Sequence, residues 1–222
     1  MTIQVDLAVL ELVCSRLCHD LVGPVGAATN GLELLRELND TGQQAIDVLD
    51  ITDDSSRTAW RRLEFFRVAF GYSGGRTAWS GSELKALAAG MLKNTKVALD
   101  WPDSGNNPPI QGRGGKLVLN LVFLIAEALP RGGEVRVTLD PTPAAVRLCV
   151  EGAGQGAALH PRVLSMVTGE WAHGDLDSRV ILAHLACLQA RSAGADIDWS
   201  FGQDQLAASF LLPLPQIAAP AP

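Results

Sequence analysis

Ser15-Arg16-Leu17-Cys18-His19-Asp20-Leu21-Val22-Gly23-Pro24-Val25-Gly26 lies in a longer run of helical periodicity. From Asp6 to about Leu38, Leu7, Leu10, Cys14, Leu17, Leu21, Val25, Ala28, Leu32 and Leu35 recur at spacings of three and four, which predicts one long amphipathic helix. The polar break Asn39-Asp40-Thr41-Gly42 ends it. A second long helix is expected over Gln43 to Phe70, with Ile46, Leu49, Ala59, Leu63, Phe66 and Phe70 as its buried positions. A loop this short makes the two helices an antiparallel hairpin. A hairpin cannot cover its apolar stripe on both sides, so a homodimer closing a four-helix bundle is expected.

Beyond the turn-rich Gly71 to Ser80 the pattern becomes mixed. Helices are expected at Ser82 to Met91, Gly115 to Leu129 and Ser178 to Ala193. Strands are expected at Lys96 to Trp101, Glu134 to Leu139, Ala145 to Val150, Ala195 to Phe201 and Leu206 to Leu212. This is the pattern of a two-layer α/β sandwich. The domain reading is therefore a helical hairpin over 1–73, a linker over 74–81, an α/β domain over 82–213 and a Pro/Ala tail over 214–222.

Composition narrows the function. The 222 residues are 47% hydrophobic and 19% charged, enough for a core. A formal net charge of −6 argues against nucleic acid or an anionic membrane surface as partner. No apolar run reaches the length of a membrane span, and the N-terminus lacks the basic region and cleavage site of a secretory signal. The four cysteines show no disulfide framework, which suits a cytoplasmic protein. Arg57, Arg61 and Arg62 read as a solvated helix face.

His19 falls roughly 160° around the helix from the centre of the apolar stripe, where a core histidine would not sit. Ala8, Leu12, Ser15, Val22, Gly23 and Gly26 share its side. That strip is small and apolar instead of rich in Lys and Glu, the character of a landing site for another protein. Pro24 has no N–H to donate, so the helix is expected to kink after His19 and to leave the Asp20 carbonyl free. A neutral imidazole is a competent phosphoryl acceptor, and Asp20 could hold one ring nitrogen protonated while the other attacks. Most lone helical histidines are structural; the outward face, the adjacent acid and the proline set this one apart. Cys14, Cys18 and His19 also admit haem attachment or zinc, but both thiols lie on the apolar stripe and read as buried core groups.

The run His19-Asp20-Leu21-Val22-Gly23-Pro24-Val25 resembles the H-box of sensor histidine kinases. With Cys18 to Ala27 and Asn30-Gly31-Leu32-Glu33-Leu34-Leu35 it is similar to the ChpT-type histidine phosphotransferases of bacterial cell-cycle relays. The second half resembles the kinases' ATP-binding domain in a degenerate form. Lys116 to Leu124 resembles the N-box, with Leu124 where the magnesium-holding asparagine stands and Glu127 where a basic residue is expected. Glu151-Gly152-Ala153-Gly154-Gln155-Gly156 lacks the adenine-reading aspartate, and Asp175 to Arg179 replaces the glycine lid hinge.

The resemblance implies a phosphotransferase that does not bind ATP and needs no cofactor or metal of its own. His19 would take its phosphoryl group from the receiver domain of a CckA-like hybrid kinase, which brings the magnesium, and pass it to CtrA-like and CpdR-like response regulators. Leu12, Ser15, Arg16, Val22, Gly23 and Gly26 would form the docking surface. Gly23, where kinases often carry a polar residue, puts a phosphatase role in doubt. The rival readings are a sensorless ATP-dependent kinase and a non-catalytic docking protein.

Overall fold

A computed structural model describes residues 6–38, 42–72, 76–102, 108–171 and 176–213. The tail, part of the inter-helix break and the start of the segment replacing the lid hinge lie outside them. Helix α1 spans Leu7–Glu37 and starts at Asp6, whose carboxylate accepts the Ala8 N–H at 3.1 Å and so satisfies one of the helix's open donors. It runs through Pro24 as continuous α-helix. Helix α2 (Gln43–Ala69) returns antiparallel: Asp20 meets Arg62, and Gly31 meets Thr52 eleven residues further on.

The second unit opens with β1 (Ala78–Trp79), α3 (Gly81–Leu92), β2 (Val97–Asp100), β3 (Ile110–Gln111) and α4 (Gly112–Glu127). It continues through β4 (Gly133–Pro141), β5 (Ala145–Ala153), α5 (Pro161–Val167), α6 (Ile181–Ala193), β6 (Asp198–Gly202) and β7 (Gln205–Pro213). The main sheet has the order β2-β4-β5-β7-β6; β2 and β4 are parallel and the other neighbours antiparallel. Val135, Val137, Val146, Leu148, Val150, Ala208 and Phe210 alternate inward to meet α4, while Arg136, Arg147 and Glu151 face out. This is the expected two-layer sandwich beside a helical hairpin.

Four features depart from the sequence reading. The segment expected to be a linker carries β1, which pairs antiparallel with β3 and belongs to the second unit. Helix α5 was not delimited as an element, because seven residues are too few to show a period, although His160 before Pro161 marks a helix start and caps it. Among the stripe residues, Leu7, Leu10, Cys14, Val25 and Leu32 are exposed in the single chain, as are Ile46, Leu49 and Leu63 of α2. Cys14 and Cys18, expected to be buried core thiols, are exposed in the single chain as well. Periodicity located the apolar face without distinguishing the side that meets α2 from the side α2 cannot reach.

The hairpin rests on the α/β unit through the end of α2. Phe65 and Phe66 are buried and meet the Phe123 ring edge-on and tilted, at 5.9 and 6.1 Å between centroids. Asn120, fully buried, donates to the Leu182 carbonyl at 3.0 Å and to Gln189 at 3.2 Å, and Gln189 in turn donates to the Ala69 carbonyl at 2.9 Å. The remaining asparagine of the N-box-like run therefore ties α4 to α6 and, through Gln189, to the hairpin.

Candidate phosphotransfer site

His19 projects from the middle of α1 with 84% of its side chain exposed. Its Nδ1 lies 3.1 Å from Oδ1 of Asp20, whose carboxylate is only 13% exposed. Oδ2 of the same carboxylate accepts from Nε of Arg16 at 3.0 Å, a favourable spacing of four along the helix. Arg16 also ion-pairs with Glu127 at the end of α4, and its guanidinium sits 5.6 Å from the centre of the Phe123 ring. A continuous line of contacts thus runs from the α/β unit to the imidazole.

The electrostatics follow from this line. Burial would lower the Arg16 pKa, but the charges and hydrogen bonds of Glu127 and Asp20 outweigh it and raise the value, so Arg16 stays a cation. Burial raises the pKa of the Glu127 carboxyl, and Arg16 opposes that rise in part.

Pro24 acts as expected in one respect. It leaves the Asp20 carbonyl without its helical donor, and Nη1 of Arg62 on α2 takes that carbonyl up. The carbonyl is not free, and Arg62 is not part of a solvated face. The missing donor after Pro24, together with the antiparallel register, was the signal that could have pointed to Arg62. Arg57 does face solvent, paired with Asp53 at 2.6 Å, while Arg61 is largely covered and lies 3.6 Å from Asp54.

The other strip residues divide into two groups. Ser15, Val22 and Gly23 are exposed, Val22 at 68%, and Gly26 is half-buried. A methyl group added at Gly23 or Gly26 would meet nothing of this chain within 4 Å. Two glycines in a helix interior cost stability relative to alanine, and no packing within the chain requires either of them. Leu12 is half-buried against the core, and Arg16 is turned into the contacts already described. Arg16, expected on the outward strip, is instead largely covered and engaged by Asp20 and Glu127 behind the histidine.

In the region resembling a nucleotide site, Leu124 is buried. A cavity of about 250 Å³ beside it is lined by Arg16, Glu127, Leu159, His160, Val163 and Arg179. The N–H groups of Gly154 and Gly156 donate to Asp204, at 3.0 Å to its carbonyl and 2.7 Å to its carboxylate. These glycine donors are engaged inside the fold. Among the described residues no group of three His, Cys, Asp or Glu side chains is placed to hold a metal ion, and no helix is long and apolar enough to cross a membrane.

Comparison with known proteins adds three findings. The family model for the histidine phosphotransferase C-terminal domain matches residues 81–205. The chain is 31% identical over 201 residues to the protein phosphotransferase ChpT of Brucella abortus (strain 2308), covering 89% of this chain and 93% of that protein. The fold matches a bacterial phosphotransferase structure at 1.7 Å with a TM-score of 0.79 and 27% identity, over 94% of this chain and 98% of the other.

Proposed function

This chain belongs to the histidine phosphotransferase family, and from that premise we propose that His19 is the residue that carries the phosphoryl group. The activity is phosphotransfer within a phosphorelay, and the partners are two-component proteins. The observation that carries the assignment to His19 is its exposed imidazole, held at Nδ1 by a carboxylate that the fold keeps out of solvent.

Asp20 accepts the hydrogen bond of Nδ1–H, which holds that proton on the ring and leaves the Nε2 lone pair free to attack. Nε2 forms the N–P bond with a partner's aspartyl phosphate. The P–O bond breaks with its electron pair remaining on the partner's carboxylate. The Nδ1 proton stays on the ring, and Asp20 faces the positive charge that the phosphoimidazole acquires. The return step to a second receiver is the reverse. Catalysis on this side is positioning.

The donor in this reading is the receiver domain of a CckA-like hybrid kinase, and the acceptors are CtrA-like and CpdR-like regulators of the cell cycle. The receiver supplies magnesium. The chain uses neither ATP nor a cofactor and works in the cytoplasm as a homodimer paired through the hairpins. Leu124 and the engaged glycines support the reading without ATP. Ser15, Val22, Gly23 and Gly26 form the docking strip, with Leu12 at its edge.

The test is a three-component relay of phosphorylated donor receiver, this chain and a second receiver. The intact chain is expected to label the second receiver, and His19→Ala to abolish that labelling. Transfer through the mutant would overturn the assignment. Self-labelling of the pure chain by ATP would overturn the non-kinase reading and favour a kinase without a sensor.

A further inference from the structure

Side chains at adjacent positions of a helix point about 100° apart and do not meet by default. The contact of His19 with Asp20 is such an adjacent pair, so the helix alone does not explain it. The explanation lies with the second oxygen of Asp20. Arg16 holds that oxygen from one turn earlier, and Arg16 is itself fixed by two residues one turn apart on α4, Phe123 under its guanidinium and Glu127 at its tip.

We propose that Arg16 and Glu127 are positioning residues. The α/β unit uses Glu127 to hold Arg16, which keeps the Asp20 carboxylate turned toward His19 Nδ1 and leaves Nε2 as the free nitrogen. The proposal rests on the reading of His19 as the phosphoryl acceptor. It gives the degenerate domain a direct part in the chemistry. The position where a basic residue is expected by resemblance to the kinases carries instead the carboxylate that orients the phosphotransfer helix.

A purely structural clasp explains the arrangement less well. Arg16 keeps 16% and Glu127 36% of its side chain exposed, and in a pair this covered desolvation consumes much of the ionic attraction. The carboxylate is also partly desolvated at a cost that Arg16 only partly offsets. The dependable product of these contacts is the direction of one carboxylate.

The full-length chain is labelled with potassium phosphoramidate, a small phosphoryl donor that needs no protein partner. Wild type is compared with Glu127→Gln and with Arg16→Met, which retains an apolar stem to pack on Phe123. Three quantities are read: the initial rate of labelling at His19, the ¹⁵N shifts of the His19 ring, and the thermal midpoint. Both variants are expected to melt within about 3 °C of wild type. Both should lose about tenfold in labelling rate, the order expected for loss of one hydrogen bond to a charged group. Their His19 rings should move from the Nδ1–H toward the Nε2–H tautomer. Unchanged rates overturn the proposal, and so does a rate loss with an unchanged tautomer, which marks a merely structural effect. If wild type itself is not labelled at His19, the acceptor reading fails. If wild type and variants are labelled alike, that reading stands and only the positioning role falls.

Discussion

In the α/β unit the inner face of the sheet is closed: Val135, Val137, Leu148, Val150 and Ala208 are fully buried, and Leu117 to Val122 of α4 are buried above them. In the hairpin, Leu7, Leu10, Val25, Leu32, Ile46, Leu49, Trp60 and Leu63 each keep about half or more of their surface exposed, and Val9 alone is buried in α1. Both units carry long helices with an apolar face and use them differently. One unit completes its own core. The other leaves a long apolar face on one side and a small, glycine-bearing strip around His19 on another. The first face asks for permanent cover, since each such side chain withdrawn from water yields about 1.5–3 kcal/mol. The second suits a partner that binds and leaves.

The largest effect should come from charging the uncovered face. Leu10→Glu combined with Leu32→Glu is expected to convert a dimer to a single chain, read as a halving of mass in sedimentation. Leu211→Glu, at an exposed position of the sheet, should leave the mass unchanged. A wild-type chain that sediments alone would show that the apolar face needs no cover.

Two glycines of α1 separate its packed side from its open strip. A methyl group at Gly31 would lie 2.1 Å from the Thr52 hydroxyl, which is buried and donates to the Val48 carbonyl at 2.7 Å. Gly31→Ala should therefore destabilise the hairpin by about 1–3 kcal/mol in urea unfolding. Gly23→Ala meets open space and should stabilise by about 0.5–1 kcal/mol while slowing exchange with receivers. Equal effects at the two positions would mean that the strip around His19 is packed like the rest of α1.

The smallest effect concerns the closed unit. Arg76 hydrogen-bonds Glu83, and with the Ser80 backbone and hydroxyl it holds that carboxyl at about 2, below its ordinary 4.5. Because the folded value is the lower one, this contribution is fully present above about pH 4.5 and is lost as pH falls through 2. Exposure keeps it small. An NMR titration of Glu83 should show the low value in wild type and a return toward 4.5 in Arg76→Ala.

Much of this was legible in the chain. The spacings of three and four gave α1 and α2, alternation gave the long strands, and the helical wheel gave the outward face of His19. Three things were not. Strands β1 and β3 have two residues each, too few to show a period. Division of the apolar stripe into a side facing α2 and a side facing outward depends on how the two helices dock, not on either helix alone. The role of Arg16 depends on Glu127, 111 residues away, and nothing local to either residue announces that pairing. Arg62 lies between these cases: the free carbonyl was foreseen from Pro24, but its donor was not.

The central claim is that one imidazole on the open unit carries the phosphoryl group. Its most direct test is to mix the chain with a phosphorylated receiver domain, without ATP, and to locate the label by tandem mass spectrometry and ³¹P NMR. A single acid-labile phosphoryl group is expected, on Nε2 of His19. A label on another residue, or none on the chain, would contradict it.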